Sequence, residues 1–183
     1  MANKNTAFAV YLKMVLVLLV ICAMVSGVVA GVNALTKDKI AQNLEMQIRS
    51  SISEMFGEGI EYTTMENTPV GAEAVYEIER DGAKFYCVNI NSSGFGGDVN
   101  MLVGLGDDGK IVGARVVSHS ETPGLGSVAA EAGFLGLFEG KTNVESVDSI
   151  TGATISSKAI KAGISSAQKI LADAGLIKEV SGQ

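Results

Sequence analysis

Two hydroxyl side chains flank a Gly-Ala pair at Thr151-Gly152-Ala153-Thr154, with Asp148 three residues before the first and Ile155-Ser156-Ser157-Lys158 directly after the second. The Gly-Ala pair leaves the backbone open to close approach. The amphipathic segment that follows presents free N–H groups at its first turn, so the whole stretch could hold a phosphate beside a hydroxyl. The plainer alternative is an ordinary helix start capped by Thr151 or Thr154. Lys158, one turn along, either adds a countercharge to a bound anion or is a solvated lysine on an exposed face.

A second set lies upstream in Ser118-His119-Ser120-Glu121-Thr122-Pro123-Gly124-Leu125-Gly126. Thr122 can offer a hydroxyl and backbone groups, Pro123 and Gly124 fix a tight turn, and Leu125 can cover an apolar surface, which together make a wall for a ligand. A surface turn with Glu121 as a turn or capping carboxylate is the alternative. His119, the only histidine, reads as a structural residue at a strand end. The chain shows no Ser-His-Asp elbow motif, no Cys-His cluster and no dinucleotide fingerprint, so neither a catalytic residue nor a metal site is expected.

These residues need elements to position them. From Met14 to Thr36 there is no charge, a run long enough to cross a bilayer, which takes about 20 residues. A cleaved signal peptide ending at Val28-Val29-Ala30 is the competing reading, but the run exceeds the roughly 7 to 15 residues of a typical apolar region of that kind. Lys4 and Lys13 before the run argue for a cytoplasmic N-terminus and an outward-facing remainder, an asymmetry that Lys37 and Lys39 weaken. Apolar residues from Leu35 to Phe56, spaced three to five apart, predict a connecting helix stopped by Gly57 and Gly59.

Strand patterns follow at Ala74 to Glu79, Lys84 to Ile90, Met101 to Gly106 and Lys110 to Ser118. Asp81-Gly82 and Asp108-Gly109 between them predict type I′ hairpins and hence an antiparallel sheet. The glycine-rich link from Asn91 to Asp98 lacks the Gly-Lys-Ser/Thr of a phosphate-binding loop and reads as a loop or bulge. Ser127 to Phe138 predicts a short helix and Val144 to Val147 a short strand. A final helix from Ile155 to Leu171 is expected to turn Ile155, Ala159, Ala162, Ile164, Ala167 and Ile170 inward, and Lys158, Lys161 and Lys169 mostly outward.

The expected fold class is α+β: one N-terminal transmembrane helix followed by a single domain with an antiparallel sheet and flanking helices. Its divisions are residues 1–13 as a cytoplasmic N-terminus, 14–36 as the spanning helix, 37–59 as the connecting helix and 60–183 as the domain. All 20 acidic residues but only 12 of the 14 basic ones follow Thr36, which leaves that part a formal charge of −8. Such a surface disfavours nucleic acid and anionic lipid as electrostatic partners. Cys22 lies in the apolar run and Cys87 in a strand pattern, so the two are not expected to pair, and Cys87 reads as a small core residue.

The segment Asp148 to Thr154 resembles the flavinylation motif Asp-x-x-[Ser/Thr]-Gly-Ala-Thr of the FMN-binding domain family, with Thr151 in place of the commoner Ser. Ser118 to Gly126 resembles the Ser-x-x-Glu-Thr-Pro-Gly-Leu-Gly loop found upstream of that motif. Both occur in the G subunit of the Rnf ferredoxin:NAD oxidoreductase complex and in the related C subunit of the sodium-pumping NADH:quinone reductase. The resemblance spans roughly residues 75 to 175 plus the anchor, and the short interval between the two motifs favours the Rnf side.

This resemblance implies FMN bound covalently through a phosphoester to Thr154. Thr151, Gly152, Ala153, Ile155 and Ser156 would lie about the phosphate, and Glu121, Thr122, Pro123, Gly124 and Leu125 about the ring. It implies a dedicated flavin transferase that uses FAD and magnesium, and other membrane subunits as partners, a second flavin-carrying one among them. It also implies an extracytoplasmic domain anchored in the inner membrane and electron transfer coupled to sodium or proton movement. The alternatives are the quinone-reductase C subunit, a cofactor-free structural subunit, and a secreted stand-alone FMN carrier.

Overall fold

The structure, a computed structural model, describes residues 4–178, with side chains from Tyr11 onward. Residues 1–3 of the expected N-terminal segment, residues 179–183 of the expected domain and the side chain of Lys4 lie outside the described residues. The chain divides into two compact units, one reaching to Glu45 and one starting at Met46.

Helix α1 runs Lys4–Phe56, so the stretches read as spanning and connecting helices fall within a single helix. In the first unit its described side chains are exposed, and the helix is long and apolar enough to cross a membrane. It stops where the sequence suggested. Gly57 takes φ +107°, a conformation that costs a glycine little, and its N–H closes the last turn on the Ser53 carbonyl at 2.8 Å.

The second unit is built on a five-stranded antiparallel sheet in sequential order: β1 Tyr62–Thr64, β2 Ala74–Arg80, β3 Ala83–Ser93, β4 Asp98–Gly106 and β5 Ile111–His119. Side chains alternate across it, as the period of two in a strand requires. On one face Val88, Ile90, Met101, Val103 and Leu105 form the main core with helix α3, Thr154–Asp173. On the other, Cys87, Leu102 and Ile78 pack with Ile48, Ile52 and Phe56, which recur every fourth residue along the end of α1. Burial pushes the Cys87 thiol pKa up, and the residue is an inert part of this second core.

The hairpin at Asp81-Gly82 has positive φ at both positions, 53° and 77°, as a type I′ turn needs. The second does not: Asp107 adds a residue, only Gly109 has positive φ, and the Gly109 N–H returns to the Gly106 carbonyl at 3.0 Å. Register shifts lie farther along the β4–β5 pair, between Asn100 and Met101 and between Gly104 and Leu105. Strand β1 carries no sequence pattern; it is held by pairing with β2 and by Tyr62, which packs on the second core and meets the Tyr76 ring edge-on at 5.5 Å.

Three other expectations are corrected. The predicted helix from Ser127 to Phe138 is broken, because Glu131 is extended between a 3₁₀ turn, Gly126–Ala130, and the single turn α2, Ala132–Leu135; a second 3₁₀ turn, Gly136–Phe138, follows. The predicted strand at Val144 is a 3₁₀ turn, Val144–Ser146, started by the Asn143 side chain accepting the Glu145 N–H at 2.9 Å. On α3, Lys161 turns inward and its ammonium reaches Glu145 at 2.7 Å, whereas Ile155 and Ala162 are exposed.

Candidate functional site

Helix α3 begins at Thr154 with Ala153 before it and no side-chain cap, so the capping reading of Thr151 and Thr154 does not hold. The first rung of its ladder is the Ser157 N–H to the Ala153 carbonyl at 2.8 Å, which leaves the N–H groups of Thr154, Ile155 and Ser156 ahead of it. Gly152, at φ +87°, turns the chain into the helix; the Ala153 N–H closes on the Ile150 carbonyl at 3.0 Å. The Ser157 hydroxyl accepts the Ile150 N–H at 3.1 Å and ties the turn to the helix it precedes. Thr154 is exposed at the end of this arrangement, where the helix dipole favours negative charge.

The opposing wall leaves the end of β5. Pro123 and Gly124 form the corner of a turn in which the Leu125 N–H meets the Thr122 carbonyl at 3.2 Å, with Gly124 at φ +73°. The Ser127 hydroxyl accepts the Gly124 N–H at 2.9 Å, and the Ser127 N–H returns to the Thr122 carbonyl at 3.2 Å.

Between the walls lies the carboxylate of Glu121, only 5% exposed. Its Oε1 accepts the N–H groups of Phe95 at 2.7 Å and Gly96 at 3.3 Å, and its Oε2 accepts the Ser156 hydroxyl at 2.8 Å. Burial by itself would raise its pKa. The three hydrogen bonds and the nearby His119 outweigh that, and the carboxyl is held below the ordinary glutamate range. His119 plays the structural part expected of it, its Nδ1 accepting the Glu121 N–H at 3.2 Å.

Close approach explains the glycines here. A Cβ on Gly94 or Gly126 would lie 2.2 Å from a Glu121 carboxylate oxygen, and one on Gly96 would lie 2.2 Å from the Ser120 carbonyl oxygen.

A pocket of about 280 Å³ opens between these walls. Of the residues singled out in the sequence, Glu121, Thr122 and Leu125 line it from one side. Gly152, Ala153, Thr154, Ile155 and Ser156 line it from the other. Thr151, Pro123 and Gly124 shape the flanking turns without lining it, and Asp148 and Lys158 are exposed outside its lining. The residue that sequence reasoning missed is Phe95, at the tip of the β3–β4 hairpin in the link read as a loop or bulge, whose ends Asn91 to Ser93 and Asp98 belong to the strands. An aromatic between glycines, Gly94-Phe95-Gly96-Gly97, was the available signal.

An antiparallel sheet backed by α3, with an uncapped helix end facing an apolar loop, defines a domain class with known members. Residues 94–169 match the FMN-binding domain family, and residues 10–55 match the RnfG N-terminal region. Together the two matches span about two thirds of the chain, which is similar to FMN-binding domain proteins of the RnfG type.

A similar protein is the G subunit of the proton-translocating ferredoxin:NAD(+) oxidoreductase complex of Clostridium ljungdahlii. It is 28% identical over 177 residues, covering 90% of this chain and 91% of that one. The G subunit of the ion-translocating oxidoreductase complex of Haemophilus influenzae (strain PittEE) is 32% identical over 116 residues, 58% of this chain and 55% of that one. Among solved structures, the C subunit of the Na(+)-translocating NADH-quinone reductase of Parabacteroides distasonis shares the fold. It has a TM-score of 0.54 at 20% identity, over 81% of this chain and 97% of that one.

Proposed function

We propose that this protein is an electron-transfer subunit of an Rnf-type membrane complex that couples ferredoxin:NAD electron transfer to sodium or proton translocation, and that it carries FMN on Thr154. The observation that carries the attachment is the position of Thr154: an exposed hydroxyl at the uncapped start of α3, on the rim of the pocket. The match at residues 10–55 supports the Rnf G subunit over the quinone-reductase C subunit.

The residues present fit the group. The leading N–H groups of α3 and its dipole suit a phosphate, and the exposed apolar side chains of Leu125 and Ile155 suit a flat ring. A threonine hydroxyl is not nucleophilic at neutral pH. A flavin transferase would therefore supply FAD as the activated donor: the Thr154 Oγ–P bond forms, the pyrophosphate bond breaks, AMP leaves and the hydroxyl proton is lost. When bound, FMN supplies reversible electron transfer, and the protein sets its position and access. Thr154 tethers, the start of α3 holds the phosphate, and the Thr122–Leu125 turn encloses the ring. Helix α1 would anchor the domain in the bilayer of the inner membrane, on the extracytoplasmic side, beside the other subunits.

The intact mass of the full chain, made in cells with a flavin transferase and denatured to remove free cofactor, tests this. A gain of one FMN less water, mapped to the peptide holding Thr154, is expected. An unmodified mass beside a labelled control acceptor would overturn the attachment.

A further inference from the structure

Beyond α1, the large apolar side chains exposed among the described residues are Val70, Phe95, Leu125, Leu137 and Ile155, and three of these five line the one pocket beside Thr154. A solvated acidic domain gains nothing by exposing apolar groups together. Such convergence around a concavity marks a binding surface. Phe95 is the most exposed of the three, at 69%, and the only aromatic.

Its position is built rather than incidental. The Phe95 N–H is held by the buried Glu121 carboxylate at 2.7 Å, and the Gly94 N–H closes the hairpin on the Gly97 carbonyl at 2.9 Å. Gly96 lets the tip lie against the Ser120 backbone. A charged group is thus enclosed, at the cost of its hydration, to hold the backbone of an exposed phenylalanine beside the pocket. An aromatic ring held there offers a π face to a flat conjugated ligand.

We propose that Phe95, which neither motif includes, is a flavin-contacting residue that forms the aromatic wall of the site, with Leu125 and Ile155 as its aliphatic walls. The inference rests on the FMN reading above and adds the residue that covers the ring. It also gives Glu121 a positioning role, acting on the flavin through the hairpin it holds.

The test uses Phe95→Trp in the full chain, labelled in cells and purified in detergent, because an indole in contact with a flavin quenches its fluorescence. Val70→Trp is the control. Val70 adjoins Gly71, whose added Cβ would meet Ile170, and Ile170 lies sixteen residues along α3 from Thr154, about 24 Å at 1.5 Å per residue. Wild-type intact mass is read first. An unlabelled wild type overturns the attachment and this inference with it. At equal label, Phe95→Trp is expected to lose flavin emission several-fold while Val70→Trp matches wild type. Phe95→Ala, labelled to the same extent, is expected to show faster quenching by iodide. Labelled Phe95→Trp with wild-type emission would overturn the inference and leave the attachment standing, and would point to Phe95 as a contact for a neighbouring protein of the complex.

Discussion

The Ser156 hydroxyl donates to Oε2 of Glu121 at 2.8 Å, joining the first turn of α3 to the end of β5 across a separation of 35 residues. Because Oε1 of the same carboxylate holds the tip of the β3–β4 hairpin, one buried charge ties together the three segments that surround the pocket. The pocket's shape therefore depends on a buried side chain in its own lining, and the consequences of cutting each tie can be separated.

Replacing Glu121 with Ala leaves the Phe95 and Gly96 N–H groups and the Ser156 hydroxyl without their acceptor. The expected loss is on the order of 3 kcal/mol, since each buried polar group left unpaired costs about 1–3 kcal/mol less what water recovers. Ser156→Ala removes one donor while the carboxylate keeps two, and about 1 kcal/mol is expected. Urea unfolding of the full chain in detergent micelles reads both. Equal midpoints for the two variants would contradict the three-way tie.

The same carboxylate sets a pH dependence. Its folded-state pKa is depressed, so its contribution to stability is present above the unfolded value, about 4.3 for glutamate, and is lost as pH falls through the folded value. Wild-type protein should lose stability faster than Glu121→Gln as pH drops below about 4.3, while the difference between the two stays level from there to neutrality. The difference in melting temperature across that range checks the sign. A wild-type advantage over Glu121→Gln that shrank as pH rose above about 4.3 would mean that the hydrogen bonds do not outweigh the burial.

Much of this arrangement could be read from residue order, and the parts that could not have physical reasons. The β2–β5 hairpins show because strand alternation and Asp-Gly turns are local, and α3 shows through its apolar spacing. Strand β1 is invisible because three residues are held by a neighbour and not by any pattern of their own. Lys161 was assigned outward with Lys158 and Lys169 from the amphipathic pattern of the helix, yet Glu145, sixteen residues away, gives its ammonium a partner at 2.7 Å. Thr154 and Glu121 were visible as motif residues. The bond from Glu121 to Phe95 was not, since nothing in the Gly-Phe-Gly-Gly link says which distant carboxylate will accept its N–H groups.

The glycines of the second unit should divide by what an added methyl would meet. Gly96→Ala drives a Cβ to 2.2 Å from the Ser120 carbonyl oxygen, backbone that cannot step aside cheaply, and a loss of about 1–3 kcal/mol is expected. Gly133, in α2, has open space at its Cβ position and no positive φ, so Gly133→Ala should stabilise by about 0.4–1 kcal/mol. Thermal melts of the two variants beside wild type decide this. A neutral Gly96→Ala would show that the hairpin tip moves freely over the Glu121 loop.

The two threonines of Thr151-Gly152-Ala153-Thr154 offer the sharpest separation of roles. Both are exposed hydroxyls, so composition and accessibility do not distinguish them. Their place does: Thr154 opens α3 and lines the pocket, whereas Thr151 lies in the preceding turn outside its lining. Neither caps the helix, so Thr151→Ala and Thr154→Ala should both leave stability within about 0.5 kcal/mol of wild type, as surface substitutions usually do. Covalent flavin should nevertheless persist in Thr151→Ala, vanish in Thr154→Ala and return in Thr154→Ser, where a hydroxyl is again present at the helix start. Intact mass after denaturation reads all three. Label retained by Thr154→Ala and lost from Thr151→Ala would move the attachment to the turn, and the uncapped end of α3 would then have no phosphate to hold.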